Sequence, residues 1–168
     1  QATIDITDEN AQGFQLDSDL KVKGSAAIEG LANSELAALA SSTNKSATAK
    51  VDLAETNWEG IEAENITTGG DVAMLGNVAQ LSEADAYSVG GEATATFKAD
   101  DYKGIDANNV KAAGFAEILG DVEVLTGAEA ESTAGTATAE NDIDSGVIGA
   151  SAKEIKTGSD LLLDGGVL

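Results

Sequence analysis

The sequence predicts an all-β chain, a β-solenoid (β-helix) of about 3.5–4 repeats of roughly 45 residues, and three observations predict it. A module recurs along the chain, apolar and polar residues alternate inside it with period two, and glycines return at fixed phases of it. The repeat is clearest where Gly60 to Ala95 aligns without gaps on Gly104 to Ala139, with 16 identities in 36 positions. An antiparallel β-sandwich made of duplicated hairpins is the alternative, since it would also alternate and repeat.

The module has two halves. One is an Ala-Thr strand leading to a Gly-aliphatic turn, with copies at Ala2-Thr3 to Gly13-Phe14, Ala47-Thr48 to Gly60-Ile61, Ala93-Thr94 to Gly104-Ile105 and Ala137-Thr138 to Gly146-Val147. The other runs aliphatic, small, aliphatic, Gly, as Leu20-Gly24-Ile28-Gly30, Ile66-Gly70-Met74-Gly76, Val110-Gly114-Ile118-Gly120 and Ile155-Ser159-Leu163-Gly165. The chain thus reads as a single repeat domain over 1–168, with units near 14–60, 61–104, 105–146 and 147–168 and 1–13 as a partial first repeat.

Within these halves Ala47, Ala49, Val51 and Leu53 alternate with Thr48, Lys50 and Asp52, the mark of half-buried strands. Ala93, Ala95 and Phe97 alternate with Thr94, Thr96 and Lys98 in the same way. Ser34 to Ala40 is the one stretch with helical spacing, with Ser34 as its cap, and a short helix is expected there. Gly24, Gly70 and Gly114, and Gly30, Gly76, Gly120 and Gly165, are expected at corners that need positive φ or close backbone approach. Trp58 and Tyr102, each just before a Gly-aliphatic turn, are expected to stack on neighbouring repeats.

Composition then removes functions. Nine Lys against 30 Asp and Glu give a formal charge of -21, and Arg is absent, so nucleic acid and anionic membranes are poor partners. Neither Cys nor His occurs, which removes disulfides, the usual zinc sites and every Ser-His or Cys-His mechanism. No apolar run approaches the roughly 18 residues a spanning helix needs, so no membrane insertion is expected. Of the apolar residues 30 are Ala, which predicts a thin, closely packed interior. Many carboxylates are available for acid-base chemistry, but none is singled out as a pair, and no enzyme is expected.

The chain opens on Gln1-Ala2, which reads as a mature N-terminus after export, and a secreted, cell-surface or matrix location is expected. By repeat phase, Leu168 of one subunit falls about a dozen residues before Gln1 of the next, and both end segments are apolar. Ala2, Ile4 and Ile6 at one end and Leu161, Leu163, Val167 and Leu168 at the other are therefore the expected subunit interface of a head-to-tail homopolymer. The alternative is a monomeric acidic binding module for Ca²⁺, glycan or ice. Asp100, Asp101, Asp142 and Asp144 are the carboxylates best placed for Ca²⁺, although no known Ca²⁺ motif is present, and no other cofactor is expected. Thr94/Thr96 and Thr136/Thr138 hint at an ice-binding face, which Thr48/Lys50 and Thr3/Asp5 interrupt.

The Ala/Gly/Thr/Asp-rich repeats, free of Pro and Cys, together with Gln1 resemble secreted bacterial surface or matrix proteins of the functional-amyloid and β-solenoid fibre type. That resemblance implies an extracellular scaffold, such as a protein fibril of a biofilm matrix. It lacks the regular Gln/Asn ladder of curlin repeats.

Overall fold

The structure, a computed structural model, describes residues 1–6, 10–53, 56–99, 101–143 and 146–168. Among the described residues twelve strands follow one another in four layers. The first layer is β1 (Ala2–Asp5), β2 (Asn10–Val22) and β3 (Ala26–Ser42); the second is β4 (Ala47–Leu53), β5 (Asn57–Thr68) and β6 (Val72–Ser88). The third is β7 (Ala93–Ala99), β8 (Tyr102–Ala112) and β9 (Ala116–Ser132), and the fourth β10 (Ala137–Ile143), β11 (Val147–Thr157) and β12 (Leu161–Asp164). Each layer gives one strand to each of three four-stranded sheets: sheet A (β1-β4-β7-β10), sheet B (β2-β5-β8-β11) and sheet C (β3-β6-β9-β12).

All the described strand pairings are parallel, so the antiparallel sandwich does not describe this chain. The repeat of all-β, parallel layers fits the expected solenoid. Equivalent residues stack: Ala47 faces Ala93 and Ala93 faces Ala137, while Gly30, Gly76 and Gly120 form one column. Two expectations about the strands need correction. Ser34 to Ala40 is strand, not helix, because each of its residues is held in register against Gln80 to Ala86 of β6. Ala2 faces Ala49 rather than Ala47; a shift of two keeps every side chain on its own face.

Alternation decides burial. In β4 and β7 every second residue is buried, and the outward set is polar. The sheets enclose two separate cores. One lies between sheet A and the later halves of the sheet C strands, with Trp58 and Tyr102; the other lies between sheet B and the earlier halves of the sheet C strands, around Ile61, Met74, Ile105 and Ile118. Sheets A and C meet at short corners, and there the first core is alanine: Ala38, Ala40, Ala84 and Ala86 pack with Ala47, Ala49, Ala93 and Ala95. Alanine's poor strand propensity gives way because these methyls are buried against one another between the two sheets. Val51, Leu53 and Phe97 lie further along these strands from the corner.

Between the two cores the backbones of sheets B and C touch. A Cβ on Gly60 would lie 2.6 Å from the Gly104 carbonyl oxygen and 2.7 Å from the Gly76 carbonyl carbon; one on Gly149 would lie 2.6 Å from the Gly165 carbonyl carbon. Gly30, Gly76 and Gly120 are thus not corners but sit inside β3, β6 and β9, and Gly165 follows β12 directly. Close approach of two sheets, not a left-handed backbone, requires glycine here. Gly24, Gly70 and Gly114 do lie at corners, between sheets B and C. At two of these corners a side chain of the layer below takes the space a Cβ would need: Ser25 Oγ accepts from Asp71 N–H (3.0 Å) beside Gly70, and Asp71 Oδ1 accepts from Phe115 N–H (2.9 Å) beside Gly114.

The corners from sheet C to sheet A are held by a serine column. Ser88 Oγ accepts from Gly91 N–H (3.0 Å) and donates to the Lys45 carbonyl (2.9 Å); Ser132 Oγ repeats this with Gly135 (2.9 Å) and Gly91 (2.7 Å). Each serine therefore closes its own turn and ties it to the layer below.

Candidate functional site

Among the described residues the three sheets end on β1, β2 and β3 at one edge and on β10, β11 and β12 at the other. The residues expected at an interface divide between these ends. Ala2, Ile4 and Ile6 are half-buried against the first core. Leu161 and Leu163 are 47% exposed, and Val167 and Leu168 55% and 77%. Leu163 nevertheless occupies a core position, since it stacks on the fully buried Ile118 and continues the column Ile28, Met74, Ile118, Leu163. The parallel column Leu20, Ile66, Val110, Ile155 likewise runs from one end layer to the other.

One end is not uniformly apolar. The column Ile4, Val51, Phe97 becomes polar in the last layer, where Asn141 faces Phe97 and donates to Thr126 Oγ1 (2.8 Å). The first core is therefore partly capped by polar groups at the β10 end, whereas the second-core columns that end in Ile155 and Leu163 stay apolar in both end layers. Asn141 sits within an Ala-alternating strand, and that break in alternation was the available signal.

Of the four Ca²⁺ candidates, Asp101 and Asp142 fall among the described residues. Asp100 and Asp144 lie outside the described residues. Asp101 Oδ1 accepts from Gly146 N–H (3.0 Å), and Asp142 stands in register beside Lys98. Among the described residues no three acidic side chains converge as a metal set. On the outer face of sheet A, Thr48, Thr94 and Thr138 form a column, but the next column reads Thr3, Lys50, Thr96, Glu140, so the threonine grid is broken.

Sequence reading missed two groupings. The first is a polar network on the outer face of sheet B. Gln12 Nε2 donates to Glu59 Oε2 (3.1 Å) and Glu62 Oε2 (2.6 Å), while Lys103 Nζ reaches Glu59 Oε1 (3.3 Å) and Asp106 Oδ2 (3.0 Å). Burial, with the Glu59 charge beside it, pushes the Glu62 carboxyl up. Burial works against the Lys103 ammonium, but hydrogen bonding and the charges of Asp106 and Glu59 outweigh it and hold its pKa above the ordinary value. The network relieves stacked charge across layers: every one of these carboxylates already has a donor, which suits a structural tie better than an acid-base pair.

The second is the outer face of sheet C. β3 turns out Glu29 and Glu35, β6 Glu83 and Asp85, and β9 Glu117, Asp121, Glu123, Glu129 and Glu131. Leucines stand among them, Leu75 beside Leu119 and Leu81 beside Leu125. Depressions of about 380, 280 and 200 Å³ open on this face, the largest lined by Leu39, Asp85, Tyr87, Glu129 and Glu131.

Among the described residues no helix is long and apolar enough to cross a membrane. Neither a protein-family model, a curated protein nor a solved structure matches the chain.

Proposed function

We propose that the chain is a β-solenoid subunit that stacks end on end with further copies of itself and forms a structural filament outside the cell. The supporting observation is that the columns Leu20-Ile66-Val110-Ile155 and Ile28-Met74-Ile118-Leu163 reach both end layers without a polar interruption. An added copy in the same register sets Phe14 and Leu16 over Ala150 and Ala152, large against small, and pairs the free edge of β11 with that of β2. A contact of this kind joins unlike ends and does not close on itself, so it propagates. Support for an extracellular setting is compositional: the absence of Cys and a charge of -21 suit an exposed, soluble fibre.

Electron microscopy and sedimentation of the purified protein test this reading. Fibres are expected for the unaltered chain, and the double variant Ile4→Lys with Leu163→Lys should give folded, dispersed particles, because an ammonium at position 163 would be buried in the contact without a partner, at the end of the apolar column Ile28-Met74-Ile118. Dispersed particles of the unaltered chain across salt and pH, or fibres undiminished in the variant, defeat it.

A further inference from the structure

We infer that the outer face of sheet C is a docking surface for a cationic polypeptide that also carries apolar side chains, with a lysine or arginine of that partner seated between Asp85, Glu129 and Glu131. Sign comes first. The outward positions of β3, β6 and β9 hold nine carboxylates and no lysine, while all nine lysines lie on sheets A and B or at corners. Such a face attracts cations and repels nucleic acid, anionic lipid and a second copy of itself.

Apolar content comes second. An acidic face that served only solubility has no use for exposed leucines, yet Leu75, Leu81 and Leu125 are 39%, 46% and 50% exposed, and two leucine pairs sit in neighbouring strands. Polar satisfaction comes third. Among the described residues Asp85 Oδ1 is buried and has no donor, and Asp85 lies in register beside Glu129 in the 380 Å³ depression. A buried carboxylate oxygen without a donor is unfavourable. A long cationic side chain suits this depression: its alkyl stem lies on Leu39 and Tyr87 and its N–H groups meet the accessible oxygens of the lining carboxylates. A bare metal ion would use the carboxylates and leave the leucines unexplained.

The surface lies on the side of the layers, so this inference does not rest on end stacking and is measured on the dispersed double variant as well. The test is fluorescence anisotropy with a labelled, alternating Lys-Leu dodecapeptide, against a Lys-only peptide of equal charge and against Ca²⁺ as competitor. The Lys-Leu peptide should bind at least about tenfold more tightly than the Lys-only one, and more weakly as salt rises. Asp85→Asn with Glu129→Gln, and separately Leu81→Ser with Leu125→Ser, should each weaken binding about tenfold, while Glu64→Gln on sheet B leaves it unchanged. Glu131→Gln, at an exposed position, gives the same reading if the Asp85 variant folds poorly. Equal binding of the Lys-only peptide, complete displacement by millimolar Ca²⁺, or indifference to the sheet C variants overturns the inference.

Discussion

At the scale of single residues, the least expected feature is a pair of buried polar atoms for which the described residues offer no partner. Trp58 and Tyr102 stack on adjacent layers with ring centroids 6.5 Å apart, as their shared phase predicts, yet among the described residues neither the indole N–H nor the phenol oxygen has a hydrogen-bond partner. Burial also pushes the Tyr102 hydroxyl above its usual pKa. A buried hydroxyl that lost its water contacts and gained none is destabilising, so Tyr102→Phe keeps the ring stack and removes the unpaired group. Thermal and denaturant unfolding should place this variant about 1 kcal/mol above the parent. A loss of similar size would mean that the hydroxyl is satisfied by buried water and that the pair is polar by design. The serine column is the opposite case, since Ser88 is fully buried and uses its hydroxyl both as acceptor and as donor. Phase marked Ser88 and Ser132 as equivalent in the sequence, but nothing there told that their bonds cross between layers.

At the scale of elements, the glycine waist between the two cores makes the strongest demand. A Cβ on Gly76 would come within 2.5 Å of the Ile105 side chain and 3.1 Å of the Gly104 carbonyl carbon, so sheets B and C would have to separate and open both cores. Gly76→Ala should cost about 3 kcal/mol or more, whereas Gly24→Ala, which meets nothing within 4 Å, should stay within about 0.5 kcal/mol of the parent. Equal unfolding midpoints for the two variants would show that the waist is not tight. This pair of glycines also marks how far the sequence could be read. Repeat phase and period-two alternation gave the strands, the stacking of like on like and the column equivalences, because those depend only on sequence spacing. A glycine at constant phase, however, looks the same at a corner and in mid-strand; only the facing sheet, far away in sequence, distinguishes them. Ser34 to Ala40 failed for a related reason: local spacing favoured a helix, and seven consecutive pairings with β6 overrode it. The end residues were legible as apolar and terminal, while the polar turn of one column at Asn141 and the acid-leucine face of sheet C needed the register.

At the scale of the whole molecule, charge opposes the fold. A formal charge of -21 on parallel layers brings carboxylates into neighbouring strands, as with Asp85 and Glu129 or Glu62 and Asp106, and the lysine pairings offset only part of this repulsion. Exposed pairs such as Lys21 with Asp19 and Lys156 with Glu154 hold those two carboxyls below their ordinary pKa, but ion pairs so open to solvent contribute little. Glu62 acts in the other direction. Burial, then the Glu59 charge, raises its pKa from an ordinary value of 4.5, so the folded chain binds that proton more tightly than the unfolded chain does. The stabilising contribution is therefore complete below the ordinary value and is lost as pH rises through the raised one, leaving ionised Glu62 unfavourable at neutral pH. Denaturant midpoints should consequently rise as pH falls from neutral through the raised value toward the ordinary one, and added salt at the higher pH should have the same sign. Glu62→Gln still accepts from Gln12 without the charge, so it should raise the midpoint at the higher pH and flatten the climb on acidification. A midpoint that falls over this interval, or a Glu62→Gln profile as steep as the parent's, would mean that stacked carboxylate repulsion does not limit the stability of these layers.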